Sequence, residues 1–170
     1  RLCTIKHFRQ HSMSVTLFGS SGSGSAAVEM ALRAAALKYR VVRASAWEPD
    51  SALTDLRKVN PLGQIPTLVL RDGTVLTESA AILIYLGLEY PGHHLLPEHS
   101  VGRAHALRGL VFIASNCYPA VSVSDYPERW TTATSKSAQE RVRVAARAQL
   151  HRNWEIFFGE FASELERTKP

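Results

Sequence analysis

Asn60-Pro61-Leu62-Gly63-Gln64-Ile65-Pro66-Thr67-Leu68-Val69-Leu70, followed shortly by Thr77-Glu78-Ser79, is the stretch on which the reading of this chain turns. Pro66 stands directly before the apolar run Thr67 to Leu70, at a strand's first position, where proline forfeits no ladder hydrogen bond. Its context favours a cis Ile65–Pro66 bond. Such a bond reverses the chain sharply and leaves the backbone groups of Ile65 pointing outward, ready to pair with the backbone of a bound peptide. The Asp72-Gly73 turn favours a hairpin, so Thr67–Leu70 and Val75–Thr77 are expected as antiparallel strands. Glu78-Ser79 then opens a helix, where free amides and the helix dipole attract an anionic group. Together these features predict a ligand with a peptide-like backbone and a carboxylate.

Working outward, Ser14–Phe18 is short, β-branched and apolar, hence a strand. Gly19 to Ser25 is a Gly/Ser loop. Val28, Ala31, Leu32, Ala35 and Ala36 then repeat at helical spacing. Ser23 or Ser25 is the expected N-cap. Tyr39–Arg43 reads as a second strand, parallel to the first through a right-handed crossover. Ala46 to Val59 carries Trp47, a Pro49-Asp50 turn and a short helix through Leu53 and Leu56. Glu78 to Glu89 is a helix with Ala81, Ile82, Tyr85 and Leu86 on one side. The sum is a thioredoxin-like α/β domain over residues 13–90, with a mixed four-stranded sheet.

Residues 91–100 form a linker holding Pro91, Gly92, Pro97 and the His93-His94 pair, which reads as solvated rather than metal-binding. Residues 101–170 read as an all-α domain. Gly102 to Ala120 is a helix with Leu107, Leu110, Val111 and Ala114 apolar and Pro119 near its end. A loop follows over 125–134. Ser137 to Leu165 is one long helix, whose apolar residues Val142, Val144, Ala145, Ala148, Leu150, Trp154, Phe157 and Phe161 are expected to face a core. Trp47 and Trp130 are read as pocket-lining or packed. Residues 1–12 are set aside as an extension of unclear origin.

With 170 residues, 45% hydrophobic and 21% charged, the chain can fold as one domain or two small ones. Its net charge of +5 comes from scattered arginines, with no basic block or interleaved aromatics, which argues against nucleic acid and leaves small anions open. Cys3 and Cys117 are far apart and in no metal spacing, so neither a disulfide framework nor a metal site is expected. A reduced, cytoplasmic setting fits best. No run of 18 apolar residues occurs, so no membrane span is expected. The Gly/Ser loop is not followed by a lysine in phosphate-loop spacing.

In order and spacing, the Leu17-Phe18-Gly19-Ser20-Ser21-Gly22-Ser23 strand and loop, the Asn-Pro-Leu-Gly-Gln-Ile-Pro turn, and the Glu-Ser pair running into Ala80-Ala81-Ile82-Leu83-Ile84-Tyr85-Leu86 resemble the cytosolic glutathione S-transferases, in a serine-type, bacterial-like form. The resemblance is strong from Ser14 to Gly92 and weak after Val101. It implies a detoxifying transferase that takes glutathione as co-substrate, uses no metal and pairs as a homodimer. Carried over by position, the Ile65 backbone beside Pro66 would pair with the cysteinyl part of glutathione. Gln64 would lie next to it, while Glu78 would hold the γ-glutamyl ammonium and Ser79 its carboxylate. A thiol is mostly protonated at neutral pH, so the family needs a donor to the thiolate. The matching hydroxyl is Ser23, with Ser20, Ser21 and Ser25 as alternatives. Cysteine-type members place Cys where Gly24 stands here, and tyrosine-type members need Tyr where this chain has Phe18-Gly19.

Family members normally run further, with another buried helix opening on a capping motif that is not found after Phe161. The helical domain is therefore expected to be shortened and to expose apolar faces unless a partner chain covers them. A small electrophile would be recognised by that domain. Two other functions stay open: a glutathione-binding or protein-interaction module without turnover, and a glutathione-dependent reductase or peroxidase. No cysteine near the loop supports the disulfide-exchange form of the last.

Overall fold

The computed structural model describes residues 14–167, with side chains to Ala162. The 1–12 extension with Cys3, and the side chains of the charged stretch from Ser163 on, lie outside the described residues. The chain divides between His99 and Ser100 into two compact units.

The first unit holds β1 (Val15–Gly19), α1 (Ser25–Ala34), β2 (Tyr39–Arg43), α2 (Leu53–Val59), β3 (Thr67–Val69), β4 (Val75–Thr77) and α3 (Ser79–Glu89). The sheet order is β2-β1-β3-β4, with β1 parallel to β2 and antiparallel to β3, and β3 antiparallel to β4. This is the mixed four-stranded thioredoxin-like sheet. β1 is buried along its whole length because helices cover both faces. Successive strand residues point to opposite faces. Thus Val15 and Leu17 join Val28, Ala31, Leu32, Leu68, Ile82 and Leu86 under α1 and α3, while Phe18 packs with Ala44 and Leu56 under α2.

Local sequence accounts for the boundaries. α1 buries Val28, Ala31 and Leu32 at helical spacing and ends where Ala36 takes a left-handed conformation at φ 52°. There the Ala36 amide donates to the Arg33 carbonyl and the Leu37 amide to the Leu32 carbonyl, a Schellman ending. Gly73, at φ 90°, supplies the positive φ that the β3–β4 hairpin needs. The Ile65–Pro66 bond is cis. In α3 the buried residues are Ala80, Ile82, Leu86 and Gly87, so the expected inward place of Ala81 falls to Ala80. Ala80 lies on one stripe with Leu83 and Gly87, three and seven residues on, whereas Ala81 is exposed.

The second unit is helical: α4 (Ser100–Phe112), a π-helical turn (Ile113–Cys117), α5 (Tyr118–Asp125) and α6 (Lys136–Arg167). Pro119 sits in the first turn of α5, not near the end of the segment. It has no N–H to give, and the π turn before it absorbs the disruption. The Asn116 carbonyl in that turn accepts the buried Asn153 side-chain amide at 2.6 Å. Ser100–Asp125 is long and apolar enough to cross a membrane by length and composition, a property missed by the search for unbroken apolar runs. In this structure it packs against α6 within its unit.

α6 turns part of the expected face inward: Phe161 is buried and Val142, Leu150, Trp154 and Phe157 are half-buried, but the rest of the face differs. Ala138, Ala146, Asn153 and Phe161 are buried, whereas Val144 is exposed and Ala145 and Ala148 share its outer side. The inward stripe recurs at seven- and eight-residue steps, two helical turns each, and includes alanines and an asparagine that hydropathy alone does not mark. Phe112, Phe157 and Phe161 form an aromatic cluster against it, with the Phe157 and Phe161 rings stacked at 4.6 Å. Val111, Ile156 and Phe158 are exposed. So are Trp47 and Trp130, which are therefore not packed into a core.

Candidate functional site

Strand register brings the candidate residues to one end of the sheet. Phe18 pairs with Thr67, and Thr67 pairs with Thr77. One residue beyond that row lie Gly19 with the serine loop, the cis Pro66 with Ile65, and Glu78 with Ser79. Adjacent strands are about 4.8 Å apart, so the serine loop and Glu78 flank Pro66 across roughly 10 Å.

The turn before Pro66 is clamped from within. Asn60 is buried, and its side-chain amide donates to the Gln64 carbonyl at 3.0 Å and the Thr67 hydroxyl at 2.9 Å. Its side-chain oxygen accepts the Leu62 amide at 3.1 Å. The Thr67 hydroxyl donates to the same Gln64 carbonyl at 2.8 Å. The Gln64 side chain is exposed, Ile65 is half-buried and Pro66 is buried. Among the described residues no hydrogen bond reaches the Ile65 amide or carbonyl. Its backbone thus offers the donor and acceptor of an unpaired strand edge.

Glu78 caps α3 without a side-chain capping bond, is exposed, and adopts φ 64° and ψ 113°. A non-glycine residue in that region is uncommon, and such conformations cluster at functional sites. Ser79 is half-buried and is the first residue of α3, where the leading amides have no partner inside the helix.

The serine loop is a dense hydroxyl network. The cap position of α1 is Gly24 rather than Ser23 or Ser25, although the Ser23 hydroxyl still accepts the amide of Ser25, the helix's first residue. Ser25 is buried in the first turn; its hydroxyl accepts the Ser20 amide and donates to the Ser20 carbonyl, each at 3.1 Å. The half-buried Ser23 donates to the Ser20 carbonyl at 2.7 Å, lies 2.8 Å from the Ser25 hydroxyl, and accepts the Ser25 amide at 3.2 Å. Ser21 is exposed. Gly19 is required by proximity, since a Cβ there would stand 2.6 Å from the Ser25 hydroxyl. Of the four serines, Ser20 and Ser25 are buried, which leaves Ser23 as the partly open hydroxyl at the helix start.

Glu48, which no sequence motif marked, joins this hydroxyl network. It accepts the Ser20 hydroxyl at 2.7 Å and the Ser45 hydroxyl at 2.6 Å on one oxygen, and Arg43 at 2.5 Å on the other. Hydrogen bonds from Ser45, Ser20 and Arg43 hold its carboxyl down to about 2. Cys117 is buried in the helical unit, and burial pushes its thiol up, away from nucleophilic character.

Comparison with known proteins agrees with this fold. Residues 25–88 match the family model for the glutathione S-transferase N-terminal domain. An uncharacterised GST-like protein of Escherichia coli K12, YncG, is 35% identical over 132 residues, covering 75% of this chain and 62% of that protein. The solved ternary complex of BphK, a bacterial GST, is 31% identical with a TM-score of 0.68, over 89% of this chain and 70% of that one. A glutathione transferase homologue from Sulfitobacter, solved with bound glutathione, is 28% identical with a TM-score of 0.73, over 85% of this chain and 68% of that one. The fold and its sheet-end site define a thioredoxin-like domain joined to a helical unit. This chain belongs to the glutathione S-transferase family. It spans under two thirds of the length of its Escherichia coli relative.

Proposed function

We propose that this chain binds glutathione at the sheet end, stabilises its thiolate and transfers it to a small electrophile. The observation that carries the reading is the convergence of three segments: the unpaired Ile65 backbone, the strained Glu78 at the start of α3, and the serine loop. An extended tripeptide is about 10 Å long, the span from the serine loop to Glu78. In this reading Ile65 pairs with the cysteinyl backbone, with Gln64 and Pro66 framing it. Glu78 takes the γ-glutamyl ammonium, and Ser79 with the α3 amides takes its carboxylate. Ser23 donates its hydroxyl proton to sulfur, which favours the charged form and lowers the thiol pKa. The match to structures solved with glutathione supports the ligand. Family membership supports a cytoplasmic homodimer with a detoxifying role, and light scattering of the purified chain tests the dimer.

The experiment is glutathione binding by calorimetry together with conjugation of a chlorodinitrobenzene. Ser23→Ala is expected to leave binding within about threefold and to lower kcat by about ten- to a hundredfold, the worth of one hydrogen bond to a charged group. An unchanged kcat removes Ser23 from the mechanism.

A second reading, a glutathione-binding or interaction module without turnover, draws on the Ser23 hydroxyl's existing bond to the Ser20 carbonyl. Binding without conjugation selects it.

A further inference from the structure

Glu48 lies outside every motif that carries the family resemblance, yet it holds the loop that carries Ser23. We propose that Glu48 is a positioning residue for the thiolate-stabilising hydroxyl, acting through Ser20. This rests on the reading of Ser23 as the donor to glutathione's sulfur.

Ser20 is the hub. Its hydroxyl is committed to Glu48 at 2.7 Å, and its main chain serves both loop hydroxyls. The Ser20 amide donates to the Ser25 hydroxyl, and the Ser20 carbonyl accepts from Ser23 and Ser25. Each hydroxyl has a single proton. When the Ser25 proton turns to the Ser23 oxygen, 2.8 Å away, Ser23 need not donate to Ser25, and its proton can exchange the Ser20 carbonyl for an acceptor outside the loop. The result is a donor chain from the Ser20 amide through Ser25 to Ser23 and on to sulfur. Each link polarises the next, strengthening the terminal donor.

That chain lasts only while Ser20 is held. The loop has little packing of its own: Ser21 and Gly22 are exposed and Gly22 sits at φ 71°. The side-chain anchor is Glu48, whose oxygen is shared with the buried Ser45 and whose other oxygen is fixed by Arg43. Glu48 thereby ties the loop after β1 to the segment after β2, 28 residues on.

The sign of the effect separates positioning from simple charge. A carboxylate near a thiolate disfavours the thiolate, so on charge alone removing Glu48 lowers the thiol pKa. Positioning demands the opposite. The test is the ultraviolet thiolate absorbance of enzyme-bound glutathione against pH, with circular dichroism to follow folding. Glu48→Ala and Ser20→Ala are each expected to raise the bound thiol pKa by about half a unit to one unit. The double variant is expected to do no more than either alone, because both act on one link. Glu48→Gln, which keeps an oxygen for Ser20 and Ser45, is expected to restore most of the shift. kcat falls about three- to tenfold in the alanine variants while KM for glutathione holds.

A thiol pKa that is unmoved or lowered in Glu48→Ala, or additive shifts in the double variant, overturns the proposal. If Glu48→Ala does not fold, Ser20→Ala decides, since it leaves the Glu48 bonds to Ser45 and Arg43 in place. A wild-type protein that shows no bound thiolate removes the glutathione reading and this role with it. A wild-type thiolate that the variants leave untouched removes only the role of Glu48.

Discussion

Asn60 and Glu48 hold neighbouring parts of one sheet end by different means. Asn60 is neutral and buried, and its partners Leu62, Gln64 and Thr67 all lie within seven residues. Glu48 is ionised, and its hold on Ser20 spans 28 residues. One of its partners, Arg43, has a side chain 71% exposed. The Asn60 turn is therefore closed on itself, indifferent to pH and salt. The serine loop depends on tertiary structure and on a charge. The part of the site read as binding a peptide backbone is prebuilt, while the part read as doing chemistry hangs from an adjustable anchor.

The largest expected effect breaks the neutral clamp. Asn60→Ala removes two donated bonds and one accepted bond at a buried position, leaving the Leu62 amide without its partner. The expected loss is about 2–4 kcal/mol in urea unfolding, with glutathione affinity falling alongside. Asn60→Asp is expected to come close to it, because a carboxylate cannot donate to the Gln64 carbonyl or the Thr67 hydroxyl. A loss under about 1 kcal/mol shows that Thr67 holds the turn unaided.

The next effect falls on the loop. Gly19→Ala puts a Cβ 2.6 Å from the Ser25 hydroxyl and 2.7 Å from its Cβ. Ser25 is buried at the helix start and has nowhere to swing, so either β1 or α1 must shift. About 1–3 kcal/mol is expected from the overpacking, together with loss of the Ser20–Ser25 bonds. A variant of wild-type stability and normal thiolate absorbance demonstrates that the hydroxyl network is dispensable, and the contrast with Asn60 then loses its second half.

Much of this was legible in the sequence because it is local. Pro66, the Asp72-Gly73 turn and the Glu78-Ser79 helix start each carry their geometry in two or three residues, and the strand-helix-strand opening follows from periodicity alone. What escaped is long-range or disguised. The bond of Glu48 to Ser20 leaves no trace in the spacing of either residue. The cap position falls to Gly24, although Ser23 accepts the Ser25 amide, because the hydroxyls of Ser23 and Ser25 also donate back to the Ser20 carbonyl. On α6, small Ala138 and Ala146 face inward while the more hydrophobic Val144 faces out, which defeats a reading based on apolar size.

The smallest expected effect tests the charge itself. The Glu48 carboxyl, ordinarily near 4.5, is held down to about 2 by its bonds from Ser45, Ser20 and Arg43. A carboxylate depressed by folding contributes stability that is fully present above its unfolded value and is lost as pH falls through its folded one. The window is therefore between about pH 4.5 and pH 2. Across it, wild-type stability is expected to fall toward that of Glu48→Gln, and added salt to shrink the gap modestly, since Arg43 is mostly exposed. Asn60 and Thr67 do not titrate. Amide exchange at Gly63 and Leu62 is thus expected to keep its protection where Ser20 and Ser25 begin to open. Equal loss of protection in both segments means that acid opens the sheet end as one body, and that Glu48 anchors more than the serine loop.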